Sequence, residues 1–309
     1  AGARRRDGER MADGGASSDG AAQGVTGRTS DLSRARDERG SVVAVEEIGG
    51  GVVELTARLP WLAATARPGE FAQLRCGEGI EPLLRRPMSV ARVDGDTASF
   101  VFERVGVGTR LLAARRPGDK LDALGPLGIG FTLPRGGGRI LGVSGGLGCA
   151  PFPLAIAVAL RRSASRVTVL NGAATASRLY PAARFGEGDP RVEVFEATDD
   201  GSRGHRGFVT ELLGAELVRG DIGALWACGP NPMLTALAAV VAEARLRPDV
   251  CEVSLEAPMG CGFGTCLGCA LPVRGGGSPW ALCCREGPVM DVDAVDWKAL
   301  RALPPAHVA

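Results

Sequence analysis

Five of the nine cysteines in this 309-residue chain crowd between Cys261 and Cys284. A reducing compartment disfavours a disulfide framework, so a dense thiol cluster there points to metal or redox chemistry. The spacing is Cys261-x4-Cys266-x2-Cys269, with an adjacent pair further on; counted to Cys284, the last interval is x14. An x4, then x2, then a distant fourth thiolate is the plant-type arrangement for a [2Fe–2S] cluster. Gly260, Gly262 and Gly264 have a physical task in such a loop. They let the backbone wrap an anionic cluster closely and turn N–H groups toward its sulfurs. The alternative is a zinc knuckle. Zinc sites usually pair their cysteines in two tight hooks, and here only one hook is tight. Cys283 and Cys284 are neighbours, and both cannot easily ligate one iron.

The rest of the composition sets the frame. The length suits two or three domains at roughly 100–200 residues each. Hydrophobic residues make up 45%, enough for a sizeable core, while the last sixty or so residues hold too little apolar material to fold without a metal staple. A net charge of +1 argues against nucleic acid or an anionic membrane as the main partner. The longest apolar run, Cys149 to Leu160, is too short to span a bilayer and contains prolines. Arg4, Arg5 and Arg6 lead into Gly, Ser and Asp rather than an apolar segment, so no secretory signal is expected. The expectation is a soluble, cytoplasmic protein. Residues 1–40, nearly devoid of large apolar side chains, read as a disordered extension.

From Val42 to about Leu133 the pattern is short and strand-like. Val53, Leu55, Ala57 and Leu59 alternate with Glu54, Thr56 and Arg58, the period of a half-buried strand. Gly49-Gly50-Gly51, Arg67-Pro68-Gly69, Asp94-Gly95-Asp96 and Arg116-Pro117-Gly118-Asp119 punctuate the runs. Such regular punctuation predicts a closed antiparallel barrel. From about Gly138 the rhythm becomes strand, glycine turn, helix. Ile140–Val143, Val167–Leu170, Val192–Ala197 and Leu225–Cys228 read as strands. Helices are expected near Leu154–Arg161 and from Pro232 to Arg245, as in a nucleotide-binding α/β sheet.

Phosphate-binding candidates sit on this frame. Arg86-Pro87-Met88-Ser89 opens a barrel strand, where an Arg can clamp a pyrophosphate; the plainer reading is a solvated Arg85-Arg86 pair. Gly106-Val107-Gly108-Thr109 can open a helix toward phosphate or be a simple capped turn. Gly145, Gly146 and Gly148, after a buried strand, form a glycine-rich turn short of the full dinucleotide fingerprint. Cys228-Gly229-Pro230 ends the last strand at the carboxyl edge, where such sheets bind ligands. No arginine follows the Val167–Leu170 strand to pair with a 2′-phosphate, which favours NAD. Cys76 and Cys149 read as small core residues.

Taken in order, Arg86-Pro87-Met88-Ser89, Gly125–Gly128, Gly145–Pro151 and Cys228-Gly229-Pro230 resemble ferredoxin reductase-like flavoproteins. Thr198–Ser202, Gly207–Thr210, Ser254-Leu255-Glu256 and the cysteine cluster narrow the resemblance to the electron transfer subunits of class 1B dihydroorotate dehydrogenases, over about residues 41–290. The resemblance implies a multidomain chain: an FAD-binding antiparallel β-barrel at 41–135, an NAD-binding α/β domain at 136–250, and a [2Fe–2S] module at 251–309. It implies FAD contacts from Arg86, Pro87, Met88, Ser89, Gly108 and Thr109, and from the strand residues Val101, Phe102 and Glu103. Phe102-Glu103-Arg104 departs from the family's frequent Tyr-Arg there. A Gly-Pro-Val separated from the fourth ligand by two residues selects Cys284 over Cys283, completing Cys261, Cys266, Cys269 and Cys284. The implied partner is an FMN-containing catalytic subunit in a heterotetramer that supplies electrons from dihydroorotate. Rival expectations are the small subunit of an NADH-dependent ferredoxin:NADP oxidoreductase or sulfide dehydrogenase, an oxygenase reductase, and a non-catalytic zinc module.

Overall fold

A computed structural model describes residues 27–303, apart from 163 and 187. Strands β1 (Arg36–Gly49), β2 (Val52–Arg58), β3 (Phe71–Leu74), β4 (Arg86–Asp94), β5 (Thr97–Glu103) and β6 (Lys120–Leu127) form the first unit. They close a barrel in the order β1-β2-β5-β4-β3-β6, with every pairing antiparallel. The alternation seen in the sequence is the reason. Val53, Leu55 and Ala57 point inward to meet Phe100, Phe102, Ala72 and Leu74, while Glu54 leaves on the other face. Helix α1 (Pro60–Thr65) adds Leu62 to this core, and α2 (Val107–Ala113) adds Leu112.

The expectation that disorder reaches residue 40 is corrected here for residues 27–40; residues 1–26 lie outside the described residues. Arg36 to Ser41 pair with Gly125 to Lys120 along β6, so this polar stretch is held by ladder hydrogen bonds rather than by side-chain burial. Side chains of the segment then add contacts, within the barrel for Arg34 and Arg36 and to a strand beyond it for Arg28. Arg34 Nη1 meets Glu70 Oε1 at 2.7 Å, Arg36 sits 3.4 Å above the Trp61 ring, and Arg28 Nη1 meets Glu252 Oε1 at 2.9 Å.

The second unit is a sheet of β7 (Arg139–Gly145), β8 (Arg166–Ala173), β9 (Val192–Thr198), β10 (His205–Arg206), β11 (Ile222–Cys228) and β12 (Val250–Ser254). Helices α3 (Phe152–Arg162) and α4 (Ala183–Gly186) cover one face; α5 (Thr210–Arg219) and α6 (Asn231–Glu243) cover the other. Alternation along β11 feeds both cores: Ala224 and Trp226 join Phe152 and Phe185, whereas Leu225 and Ala227 join Leu213, Leu234 and Leu237.

The last unit holds β13 (Ala270–Pro272) paired with β14 (Trp280–Leu282), then α7 (Cys283–Glu286), β15 (Val289–Asp291) and α8 (Trp297–Arg301). It is not a free-standing module closed only by a staple. Strand β15 returns to the nucleotide sheet and pairs antiparallel with β12, giving the order β10-β9-β8-β7-β11-β12-β15. Cys269, Cys283, Cys284 and Met290 share one apolar cluster with Phe71 of the barrel and Val253 of the sheet. The sheet therefore extends past residue 250, and the third unit borrows its core from the other two. Among the described residues no helix is long and apolar enough to cross a membrane.

One buried ion pair fixes α5 to the sheet. Arg139, at the start of β7, is bound by Glu216 and donates to the Glu216 carbonyl at 3.1 Å, the Gly220 carbonyl at 3.2 Å and Thr168 Oγ1 at 3.2 Å. Burial pushes the Glu216 carboxyl up, but hydrogen bonds from Arg219 and Arg139 outweigh it and leave the pKa below the ordinary value. A depressed carboxylate stabilises the fold above its unfolded pKa, and that stability is lost as pH falls through the folded value. Glu216→Ala is expected to cost about 3 kcal/mol in urea unfolding at neutral pH, because it strands a buried guanidinium. The difference from wild type should shrink as pH drops through the carboxylate range. An Arg139→Met/Glu216→Leu double variant should recover most of the loss, and a single-variant cost under ~1 kcal/mol would contradict this account.

Candidate functional site

The motif strand β4 lies beside β3, with Arg86 opposite Leu74, Pro87 opposite Gln73, Met88 opposite Ala72 and Ser89 opposite Phe71. Directly opposite residues share a face. Met88 accordingly follows Ala72 against the barrel core, while Pro87 and Ser89 share the outer face with Gln73 and Phe71. Arg86, at the open end, crosses to the first turn of α2. A Cβ on Gly108 would stand 2.9 Å from Arg86 Nε and 3.0 Å from Cys76 Sγ, so only glycine lets the guanidinium lie there. Arg86 Nη1 donates to the Leu84 carbonyl at 2.8 Å. Thr109 is buried, and its Oγ1 accepts the Gly106 N–H at 3.1 Å, which caps the first turn of α2. On β5 the three expected residues diverge. Phe102 packs inside the barrel, so its side chain cannot line an outer ligand and only its backbone is placed to do so. Val101 faces the nucleotide domain, and Glu103 meets Arg178 Nη2 at 2.8 Å.

Strands β7 and β11 are neighbours at the point where the parallel order reverses, since β8 and β9 extend one way and β11 and β12 the other. The crevice beyond their carboxyl ends is where open α/β sheets bind ligands. Gly145 ends β7 and a 3-10 turn, Gly146–Cys149, follows. Cys228 ends β11, and Gly229 and Pro230 lead into α6. The two segments touch: a side chain on Gly148 would run into the Cys228 carbonyl, and one on Gly145 would meet Met233 Sδ. Ser144 Oγ donates to Asn171 Oδ1 at 3.0 Å, and Asn171 Nδ2 to the Tyr180 carbonyl at 2.9 Å, which fixes the adjoining end of β8. The Cys149 and Cys228 thiols are fully buried. Burial pushes Cys149 up, and Cys228 up to about 12, so both are neutral packing groups.

The cluster cysteines fall into two pairs. Cys269 Sγ and Cys284 Sγ lie 3.2 Å apart in the shared core, and the Cys284 N–H points to Cys269 Sγ at 3.5 Å. The Cys266 N–H points to Cys261 Sγ, also at 3.5 Å, in the more exposed loop. Cys283 turns away: its thiol faces the Leu255 carbonyl at 3.5 Å. Among the described residues no three His, Cys, Asp or Glu side chains converge as a ready-made metal shell. The thiols are nevertheless sorted electrically. Partial burial pushes Cys261 up, but the N–H groups of Cys266, Phe263 and Thr265 overcome it and hold the thiol near 6. A hydrogen bond from Cys284 lowers Cys269 to about 7, and the same bond with burial raises Cys284, so the shared proton resides on Cys284. Cys283 is raised by complete burial.

Two buried polar groups stand outside the residues given a binding role from the sequence. Gln73 is fully buried on β3, and neither Nε2 nor Oε1 has a partner among the described residues; Asn231 Oδ1, in the first turn of α6, has none either. The signal for Gln73 is slight: one polar residue inside the strand Phe71-Ala72-Gln73-Leu74, which by sequence could equally face water.

Comparison with known proteins places the chain. Residues 256–296 match the family described as the iron-sulfur cluster binding domain of dihydroorotate dehydrogenase B. The dihydroorotate dehydrogenase B (NAD(+)) electron transfer subunit of Geobacillus thermodenitrificans is 39% identical over 259 residues, covering 82% of this chain and 95% of that one. Its counterpart in Desulforamulus reducens is 36% identical, covering 83% and 97%. Among solved structures, a chain of an NADH-dependent reduced ferredoxin-NADP oxidoreductase superposes with a TM-score of 0.72 at 30% identity, covering 86% of this chain and 91% of that chain. A ferredoxin reductase of carbazole 1,9a-dioxygenase, at 22% identity and a TM-score of 0.61, shares the fold. With the barrel, the switch-point crevice and the paired thiols in place, the chain belongs to the family of dihydroorotate dehydrogenase B electron transfer subunits.

Proposed function

We propose that this chain carries electrons from a catalytic partner subunit to NAD⁺ in the oxidation of dihydroorotate, a step of pyrimidine (UMP) biosynthesis. Its resident groups are a [2Fe–2S] cluster and FAD, and its mobile substrate is NAD⁺. When bound, the cluster passes single electrons and FAD converts them in pairs to hydride for the nicotinamide. The observation that carries the reading is spatial: strand β3 runs beside the flavin motif strand β4, and its outer face supports the cysteine module.

The chain's own residues take distinct tasks in this reading. Arg86 supplies a fixed cation over the first turn of α2, where Gly108 and Thr109 leave room for a pyrophosphate. Pro87, Met88 and Ser89 form the strand beside the flavin ring, with Val101, Glu103 and the Phe102 backbone on the next strand. Gly145, Gly146, Gly148, Cys228, Gly229 and Pro230 form the nicotinamide crevice. Cys261 with Cys266, and Cys269 with Cys284, offer one thiol pair to each iron. Four thiols, two of them already lowered, and amides turned toward Cys261 suit an iron–sulfur cluster, whose ligands are thiolates. The units assigned to these tasks are the barrel from about 41 to 135, the α/β domain from about 136 to 250, and the remainder. The partner is an FMN-containing subunit, two of each chain forming a heterotetramer.

The 30% identity to a chain of an NADH-dependent ferredoxin-NADP oxidoreductase favours a second reading, as the small subunit of such an enzyme. Affinity purification separates the two, since an FMN barrel subunit accompanies the chain in the first and a second large flavoprotein in the other.

Two outcomes are expected. Cys284→Ser should lose the cluster's visible absorption and EPR signal while Cys283→Ser keeps both, because only Cys284 faces Cys269; the reverse pattern would exchange the ligands. The isolated chain should oxidise NADH with an artificial acceptor yet show no dihydroorotate:NAD⁺ activity until the FMN subunit is added. Dihydroorotate oxidation by the chain alone would remove the proposed division of labour.

A further inference from the structure

Gln73 is fully buried, and both polar atoms of its carboxamide lack a partner among the described residues. An unsatisfied buried amide costs roughly 1–3 kcal/mol, so its persistence in a packed interface points to a partner that is not part of the protein. The position says where that partner lies. Along β3, Ala72 and Leu74 point into the barrel, which leaves Phe71 and Gln73 on the outer face. Phe71 meets the apolar core of the cysteine module, and Gln73 meets its loop. A Cβ on Gly262 would stand 2.7 Å from Gln73 Nε2 and 2.7 Å from its Cγ, and Gly262 has φ +84°, a left-handed conformation suited to glycine. The bend at Gly262 thus presses the loop onto the carboxamide directly after Cys261. That thiol already draws the N–H of Cys266.

We propose that Gln73 is a positioning residue for the iron–sulfur centre, its side-chain N–H donating to sulfur at the Cys261 edge of the cluster. The inference rests on the reading of Cys261, Cys266, Cys269 and Cys284 as [2Fe–2S] ligands. An amide donor stabilises the more negatively charged reduced cluster and so raises its reduction potential. Because Gln73 lies opposite Pro87, the donor is anchored to the strand that carries the flavin motif. The barrel therefore sets the potential of a cluster held by another unit.

The test is an EPR-monitored redox titration of the full chain loaded with cluster and FAD. Gln73→Met keeps the volume and removes the donor; Gln73→Leu is the second variant should the first load poorly. Both should bind iron and FAD as wild type does. At the poise where half of the wild-type cluster is reduced, the reduced-to-oxidised ratio should fall about tenfold, ~59 mV for a one-electron couple. The FAD midpoint should not move. A variant cluster midpoint equal to that of wild type, or a shift confined to FAD, would overturn the assignment and leave Gln73 as filler. Wild-type protein that binds no iron would overturn the cluster reading as well, and iron analysis made before the titration tells the two failures apart.

Discussion

Phe71 leaves β3 on the side away from the barrel interior, and the cysteine module is built against it. Its ring enters the apolar cluster that also holds Cys269, Cys284 and Met290, so the barrel completes a core that the last fifty residues cannot complete themselves. Fully burying such a side chain stabilises by roughly 1.5–3 kcal/mol. Backbone hydrogen bonds then fix the seat. The Ile129 N–H donates to the Gly287 carbonyl at 2.6 Å, the Leu255 N–H to the Pro288 carbonyl at 2.9 Å, and the Ser30 N–H to the Arg285 carbonyl at 2.7 Å. The exit of the barrel, the exit of β12 and the N-terminal segment therefore all tie to the few residues after Cys284. Gly128 makes this approach possible, since a Cβ there would stand 2.6 Å from Pro288 Cδ and 2.8 Å from the Phe71 ring. The position of the cysteine loop against the barrel depends on this seat before it depends on any single cysteine.

The same architecture sorts nine chemically identical thiols. Cys149, Cys228 and Cys283 are enclosed by apolar side chains, and burial keeps them protonated and unreactive. Cys261 lies in a loop whose N–H groups turn toward its sulfur, and Cys269 receives a hydrogen bond from Cys284. A thiolate ligand needs stabilised negative charge, and this loop supplies it through backbone dipoles rather than through lysine or arginine. The glycines after Cys261 let the loop close against its neighbours, because side chains at Gly262 and Gly264 would run into Gln73 and Arg285.

Much of this is legible in the sequence, for physical reasons that differ by region. The iron–sulfur domain shows because five of the nine cysteines crowd into one short segment. The barrel shows through β2, whose inward Val53, Leu55 and Ala57 impose a period of two. The β7 turn shows because a packed β-strand followed by glycines has few other uses. Residues 27–40 are opaque for the opposite reason: their order comes from ladder bonds to β6 and from charged side chains reaching Glu70 and Glu252, and hydrophobicity does not record either. The return of β15 to the nucleotide sheet is likewise hidden, since its partner β12 precedes the whole cysteine loop. Phe102 has the sequence position of a ligand-facing residue, yet the strand's alternation turns its ring into the barrel. Gln73 carries no motif at all; only the loop folded over it gives its amide a direction.

The proposed route carries electrons to FAD through the cysteine module and not around it. Rapid-mixing spectroscopy on the chain assembled with the proposed FMN subunit tests this most directly, comparing wild type with a Cys261→Ser variant that has lost its cluster but kept both flavins. On adding dihydroorotate, wild-type FAD should become reduced, whereas in the variant only FMN should be reduced and FAD should stay oxidised, although NADH still reduces it. FAD reduction by dihydroorotate at the wild-type rate in the cluster-free complex would contradict the account.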